Sequence, residues 1–90
     1  MKLKYDFTVM DMGDETVAVP VGDNADQFHG MIRLNDTAAE ILELLREDTT
    51  PQTVHQILME RYTDSTKDEI GHVLADFLNQ LIREDVLLVP

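Results

Sequence analysis

The feature that most constrains the fold of this chain is a junction at residues 30–42, GMIRLNDTAAEIL, where two hydrophobic periods meet. In its first part every second side chain shares a face, so Ile32 and Leu34 are predicted to face a core. Asn35 follows where a helix needs a capping side chain to accept from an unpaired backbone N–H. The apolar side chains beyond Asn35 recur at helical spacing. The junction therefore predicts a short strand that runs directly into a helix.

The segments before the junction predict a β-hairpin. Side chains alternate over residues 4–12 and again over residues 16–21, where the valines at every second position share one face. Gly13 and Asp14 between the two runs are typical turn residues. With residues 28–34 as a third strand, these segments predict a three-stranded antiparallel sheet.

Three helices are predicted after the sheet, the first over residues 36–47. Pro51 at the first helical position opens the second helix, which ends near Tyr62. Thr66 and Glu69 form a capping box for the third helix, which extends to about residue 84. Residues 86–89 are apolar and are expected to pack as an extended tail. The sequence predicts one domain over residues 1–90, an α+β fold with a three-stranded antiparallel sheet followed by a three-helix bundle.

Charge and composition exclude several classes of function. The chain has 18 acidic and 7 basic side chains, a net charge of −11, and such a surface repels DNA, RNA and anionic membranes. The excess either keeps the chain in solution or complements a basic partner. There is no cysteine, which excludes thiolate chemistry and Cys-based zinc sites. No apolar run spans a bilayer and no signal peptide is recognisable, so a cytoplasmic location is expected.

Residues that could carry catalysis or bind a metal are scattered. His29, His55 and His72 lack the spacing of metal ligands, and Ser65 is the only serine. The acidic pairs lie on predicted solvated faces, where a carboxylate lacks the raised pKa that acid–base catalysis requires. We therefore expect no enzymatic activity, no metal and no cofactor.

The third helix carries more apolar surface than core packing requires. Five residues suffice for the core: Ile70, Val73, Leu74, Phe77 and Leu81. A second stripe is left over: Gly71, Ala75, Leu78 and Ile82. Its small residues allow another backbone to come close. Either the C-terminal tail covers this stripe, or the stripe is a binding surface. The third strand also offers a sheet edge, which can accept an extended peptide, so strand and helix together predict a groove.

The junction and its surroundings resemble the PqqD-like family, the peptide-binding domains called RiPP recognition elements. The likeness covers the hairpin, the GMIRLNDTAAEIL junction, the break at residues 48–50 and the end of the last helix at residues 83–87. It implies a winged helix-turn-helix-like fold. It also implies a chaperone that binds the leader segment of a ribosomally made precursor peptide as an extra strand. Such a chaperone presents the peptide to a modifying enzyme, such as a radical SAM protein.

The residues predicted to bind this peptide lie on the third strand and the third helix. They are Gly30, Met31, Ile32, Arg33, Leu34, Gly71, Leu74, Ala75, Leu78 and Ile82. Two alternatives stay open, a winged-helix transcription regulator and a subunit or fragment of a larger modifying enzyme. The first requires a recognition helix at residues 65–84, which has four acidic side chains against two basic ones. The product, a quinone cofactor or another modified peptide, also stays open.

Overall fold

The computed structural model describes residues 1–22 and 30–89, and it confirms the predicted α+β fold. The predicted loop and the predicted start of the third strand, at residues 23–29, lie outside the described residues. The elements follow in this order: β1 Lys2–Leu3, β2 Asp6–Asp11, β3 Thr16–Val21, β4 Ile32–Leu34, α1 Asp36–Leu44, α2 Pro51–Arg61, α3 Lys67–Arg83 and β5 Leu87–Leu88.

The main sheet is antiparallel and has the order β2-β3-β4. Ala18 on the central strand β3 lies opposite Val9 on β2 and opposite Ile32 on β4. Both Ala18 and Ile32 belong to the hydrophobic core. Because β4 comes last in the strand order, it pairs only with β3 among the described residues and is an edge strand of this sheet.

The core face of β3 is not the one that carries the valines. Val17, Val19 and Val21 alternate along the strand, and Ala18 between them belongs to the hydrophobic core. Val17 is nevertheless only 1% exposed, and in the sheet it lies between Met10 on β2 and Arg33 on β4. A central strand can bury its outer side chains under its neighbours, so the valine pattern did not identify the core face.

A second, two-stranded sheet joins the two ends of the described chain. β1 pairs antiparallel with β5, Leu3 lies opposite Leu87, and the Lys4 N–H donates to the Val86 carbonyl at 2.8 Å. The tail thus contains a strand. The first strand, predicted at residues 4–12, is shorter and covers Asp6–Asp11, while Lys4 bonds to the residue before β5. Two residues per strand are too few to show a period of two, so the sequence pattern could not reveal the pair. The Lys4 ammonium also donates to the Asp85 carboxylate, which raises the pKa of Lys4.

The strand-to-helix junction has the predicted geometry. The Asn35 side chain accepts a hydrogen bond from the Ala38 N–H at 2.8 Å and caps α1. α1 ends at Leu44, three residues earlier than predicted, because the chain tightens there. The Arg46 N–H bonds to Glu43 three residues back, and the Arg46 guanidinium donates to the Phe7 carbonyl at 2.8 Å.

Removing the cap tests how much the junction contributes to stability. We expect Asn35→Ala to lower the free energy of unfolding by about 1 kcal/mol, since the Ala38 N–H loses its acceptor. Asn35→Asp keeps the acceptor and is the matched control. Urea unfolding of the three proteins measures the difference, and an Asn35→Ala variant as stable as the control would show that the cap contributes nothing.

The core combines side chains of the sheet and of all three helices. Leu81 on α3 and Ile41 and Leu42 on α1 are completely buried, as are Val54 and Leu58 on α2. α3 packs against both α1 and α2. Among the described residues, no helix combines the length and the apolar character needed to cross a membrane.

Candidate functional site

β4 pairs with β3 along one edge, and no strand among the described residues pairs with its other edge. Ile32 and Leu34 are buried on the core side, while Arg33 is exposed on the opposite face. Gly30 and Met31, just before the strand, are also exposed. A strand that is anchored by two core side chains holds its outer N–H and C=O groups in a fixed register. Such an edge can accept a further strand.

A cavity of about 230 Å³ lies between β4, the start of α1 and one flank of α3. It is lined by Arg33, Asn35, Ala38, Val73, Asp76, Phe77 and Gln80. We call this cavity the β4–α3 groove. Its size suits one or two side chains of a bound chain.

The groove combines apolar and polar side chains. Ala38 and Phe77 are buried and contribute to the core, while Val73 is 40% exposed. On the α3 side of the groove Asp76 is exposed, and Gln80 is half-buried one turn further along the helix. The Arg33 guanidinium on the strand wall lies 3.6 Å from the Glu15 carboxylate. The groove thus pairs an apolar floor with a polar rim, as peptide and ligand pockets commonly do.

The helix residues predicted to bind the peptide lie at a different cavity. Gly71, Leu74, Ala75 and Leu78 line a cavity of about 520 Å³ between α3 and α2, which we call the α2–α3 cavity. Its remaining lining comes from Pro51, Gln52, His55 and Lys67. Because successive helix residues are about 100° apart, this set and the groove residues occupy opposite flanks of α3. The structure therefore does not bring the predicted stripe to the edge of β4.

The predicted stripe is itself only partly accessible. Ala75 is exposed and Gly71 is half-buried, whereas Leu78 is buried and Ile82, exposed by 48%, lies outside the cavity lining. A methyl group added at Gly71 would meet only His55 Nε2, at 3.8 Å, which is an ordinary contact. Internal packing therefore does not require this glycine. β5 pairs with β1 and does not line the cavity, so the tail is not its cover.

The residues of the helix wall were missed for a definable reason. Val73 and Phe77 were assigned to the core by their spacing, and Val73 proves to be exposed. Asp76 and Gln80 are polar and gave no signal. Periodicity shows which residues share a flank of α3, but the orientation of α3 against β4 depends on tertiary packing. Whether a residue of α3 lines the groove or the α2–α3 cavity depends on which flank of α3 faces β4.

A metal site would need histidine and carboxylate side chains gathered among the described residues. No three histidine and carboxylate side chains come together there as metal ligands. The pKa of Asp48 is lowered because the N-terminal ammonium donates a hydrogen bond to its carboxylate at 2.9 Å and adds a favourable charge. Neither residue of this pair lines the groove.

The fold and the groove place the chain among the small α+β domains in which an edge strand runs alongside a long helix. The chain belongs to the family of coenzyme PQQ synthesis protein D (PqqD), whose sequence profile matches residues 12–87. A solved structure described as TbiB1 in complex with the TbiA(beta) leader peptide has a similar fold, with a TM-score of 0.71. The two chains are 22% identical, and the match covers 97% of this chain and 94% of that one. No curated protein matches the chain.

Proposed function

We propose that this protein is a non-enzymatic peptide chaperone that binds the leader segment of a ribosomally synthesised precursor peptide. The observation that carries the proposal is that β4, an edge strand among the described residues, also lines the β4–α3 groove. Membership of the PqqD family supports it, and so does the similar fold of TbiB1, whose structure contains a leader peptide. No cofactor takes part in this function.

The bound peptide adds as a strand to β4. Its backbone pairs with the outer N–H and C=O groups of Gly30, Met31, Ile32, Arg33 and Leu34. Every second side chain then points toward α3 and enters the groove, where Val73 and Phe77 form the apolar contact. Backbone pairing contributes affinity for any extended peptide, while the groove side chains provide selectivity.

A binding role for Gly71, Leu74, Ala75, Leu78 and Ile82 is a separate proposal. These residues lie across the width of α3 from β4, and a helix with its side chains is about 10 Å wide. A peptide strand on β4 contacts the other flank of α3. The α2–α3 cavity therefore has to be tested independently of the groove.

The second partner in the proposed function is the enzyme that modifies the peptide, such as a radical SAM protein. The chaperone presents the leader while the segment to be modified stays free. This division suits strand addition at β4, because a strand added there covers only one edge of the sheet. The setting we propose is the cytoplasm, where ribosomal precursors are made.

Isotope-labelled protein and peptides selected from a displayed random library test the proposal. We expect the selected peptides to shift the backbone resonances of residues 30–34 and of the groove residues Val73, Asp76, Phe77 and Gln80. Shifts confined to the α2–α3 cavity, or a library that yields no binding peptide, would contradict strand addition at β4.

The alternative function, DNA binding by a winged-helix regulator, leads to the opposite prediction. We expect no binding to duplex DNA or RNA at physiological salt, because a net charge of −11 repels phosphates. A gel-shift titration with random-sequence duplexes measures this directly. Micromolar binding that weakens steeply with added salt would favour the regulator over the chaperone.

A further inference from the structure

The polar side chains of the β4–α3 groove differ in whether they already have a hydrogen-bond or ion-pair partner. The Asn35 side-chain oxygen already accepts from Ala38, and Arg33 is already paired with Glu15. Within the described residues, the carboxylate of Asp76 has neither an ion-pair nor a hydrogen-bond partner. Asp76 is thus the charge that the groove offers to an incoming chain.

The spacing along α3 sets where that charge meets the peptide. Val73 and Phe77 are one helical turn apart and form the apolar contact. Asp76 and Gln80 are also one turn apart and lie three residues further along α3. The midpoints of these two pairs are three residues apart, about 4.5 Å along the helix. Two successive inward-facing side chains of a strand are about 7 Å apart, close enough for one to contact Phe77 while the next reaches Asp76.

We infer that the groove selects peptides that carry a lysine or arginine two residues from an apolar side chain seated against Val73 and Phe77. This inference rests on the proposed strand addition at β4 and adds the chemical class of the peptide. The overall charge of −11 acts in the same direction, since an acidic protein attracts basic segments before contact. Arginine suits the site best, because its planar group can donate two parallel hydrogen bonds to one carboxylate.

Selection from a displayed library of random linear peptides tests the inference, with the intact protein as the bait. We expect lysine and arginine to be enriched about fivefold at the position two residues from the apolar one, the effect of an accessible ion pair. Asp76→Asn abolishes this enrichment but keeps the apolar preference. Asp76→Lys reverses it in favour of aspartate and glutamate.

Asp68→Asn is the matched control, since it removes the same charge from α3 at an exposed position outside the groove lining. It leaves the basic preference unchanged. Selected peptides that slow amide exchange in β4 but show no basic preference, or a preference that survives Asp76→Asn, would overturn this inference alone. Selected peptides that leave β4 unaffected would instead overturn the proposed function.

Discussion

Replacing Val73 with tryptophan will lower the affinity for selected peptides about a hundredfold, a loss typical of a blocked central contact. Val73 is 40% exposed and lines the β4–α3 groove, so the larger ring fills the space that the peptide needs. Because the side chain is outside the core, we expect the free energy of unfolding to change by no more than about 0.5 kcal/mol. Titration calorimetry measures the affinity, and urea unfolding measures the stability.

Ala75→Trp is the control for Val73→Trp. It adds a similar ring on the opposite flank of α3, at the α2–α3 cavity, where Ala75 is exposed. We expect this variant to bind the peptides as the wild type does. If Ala75→Trp abolishes binding and Val73→Trp preserves it, the peptide occupies the α2–α3 cavity. The helix residues predicted from the sequence would then be the binding residues.

The second large effect concerns the core. Leu81 on α3 is completely buried, and we expect Leu81→Ala to cost roughly 2–5 kcal/mol of the free energy of unfolding. A domain of this size has roughly 5–14 kcal/mol in total, so the variant loses a large part of its stability. Thermal and urea unfolding measure the loss.

Ile82→Ala is the matched control, since Ile82 follows Leu81 directly and is 48% exposed. We expect it to cost less than about 1 kcal/mol. Equal losses for the two variants would mean that α3 does not present Leu81 to the core in solution. The pair therefore tests the rotation of α3 about its axis, which also determines the flank that faces β4.

Local signals predicted much of the fold. Asn35 as the cap of α1, Pro51 at the start of α2 and Thr66 before α3 were all read from residue types at defined positions, and all three appear in the structure. The alternation of Ile32 and Leu34 also gave the buried face of β4. These features depend on neighbouring residues, so the sequence pattern is sufficient to identify them.

Features that depend on distant contacts were not accessible in the same way. β1 and β5 pair across almost the whole chain, and the core face of β3 depends on its neighbours in the sheet. The same holds for the candidate site. The candidate binding residues 30–34 could be predicted from the junction. The groove residues on α3 could not, because they depend on how α3 is oriented against β4. Val73 and Asp76 became candidates only when that orientation was known.

Amide hydrogen exchange along β4 tests the central proposal most directly. In an edge strand only alternate N–H groups point outward, and a strand added to that edge protects those groups. With peptide at about a hundred times its Kd, we predict exchange slowed by up to about a hundredfold at alternate residues between 31 and 34. In the same measurement we expect the peptide to cause no comparable slowing of amide exchange at Gly71 or Ala75. Unchanged exchange along β4 in a sample whose peptide binding is independently verified would contradict the account.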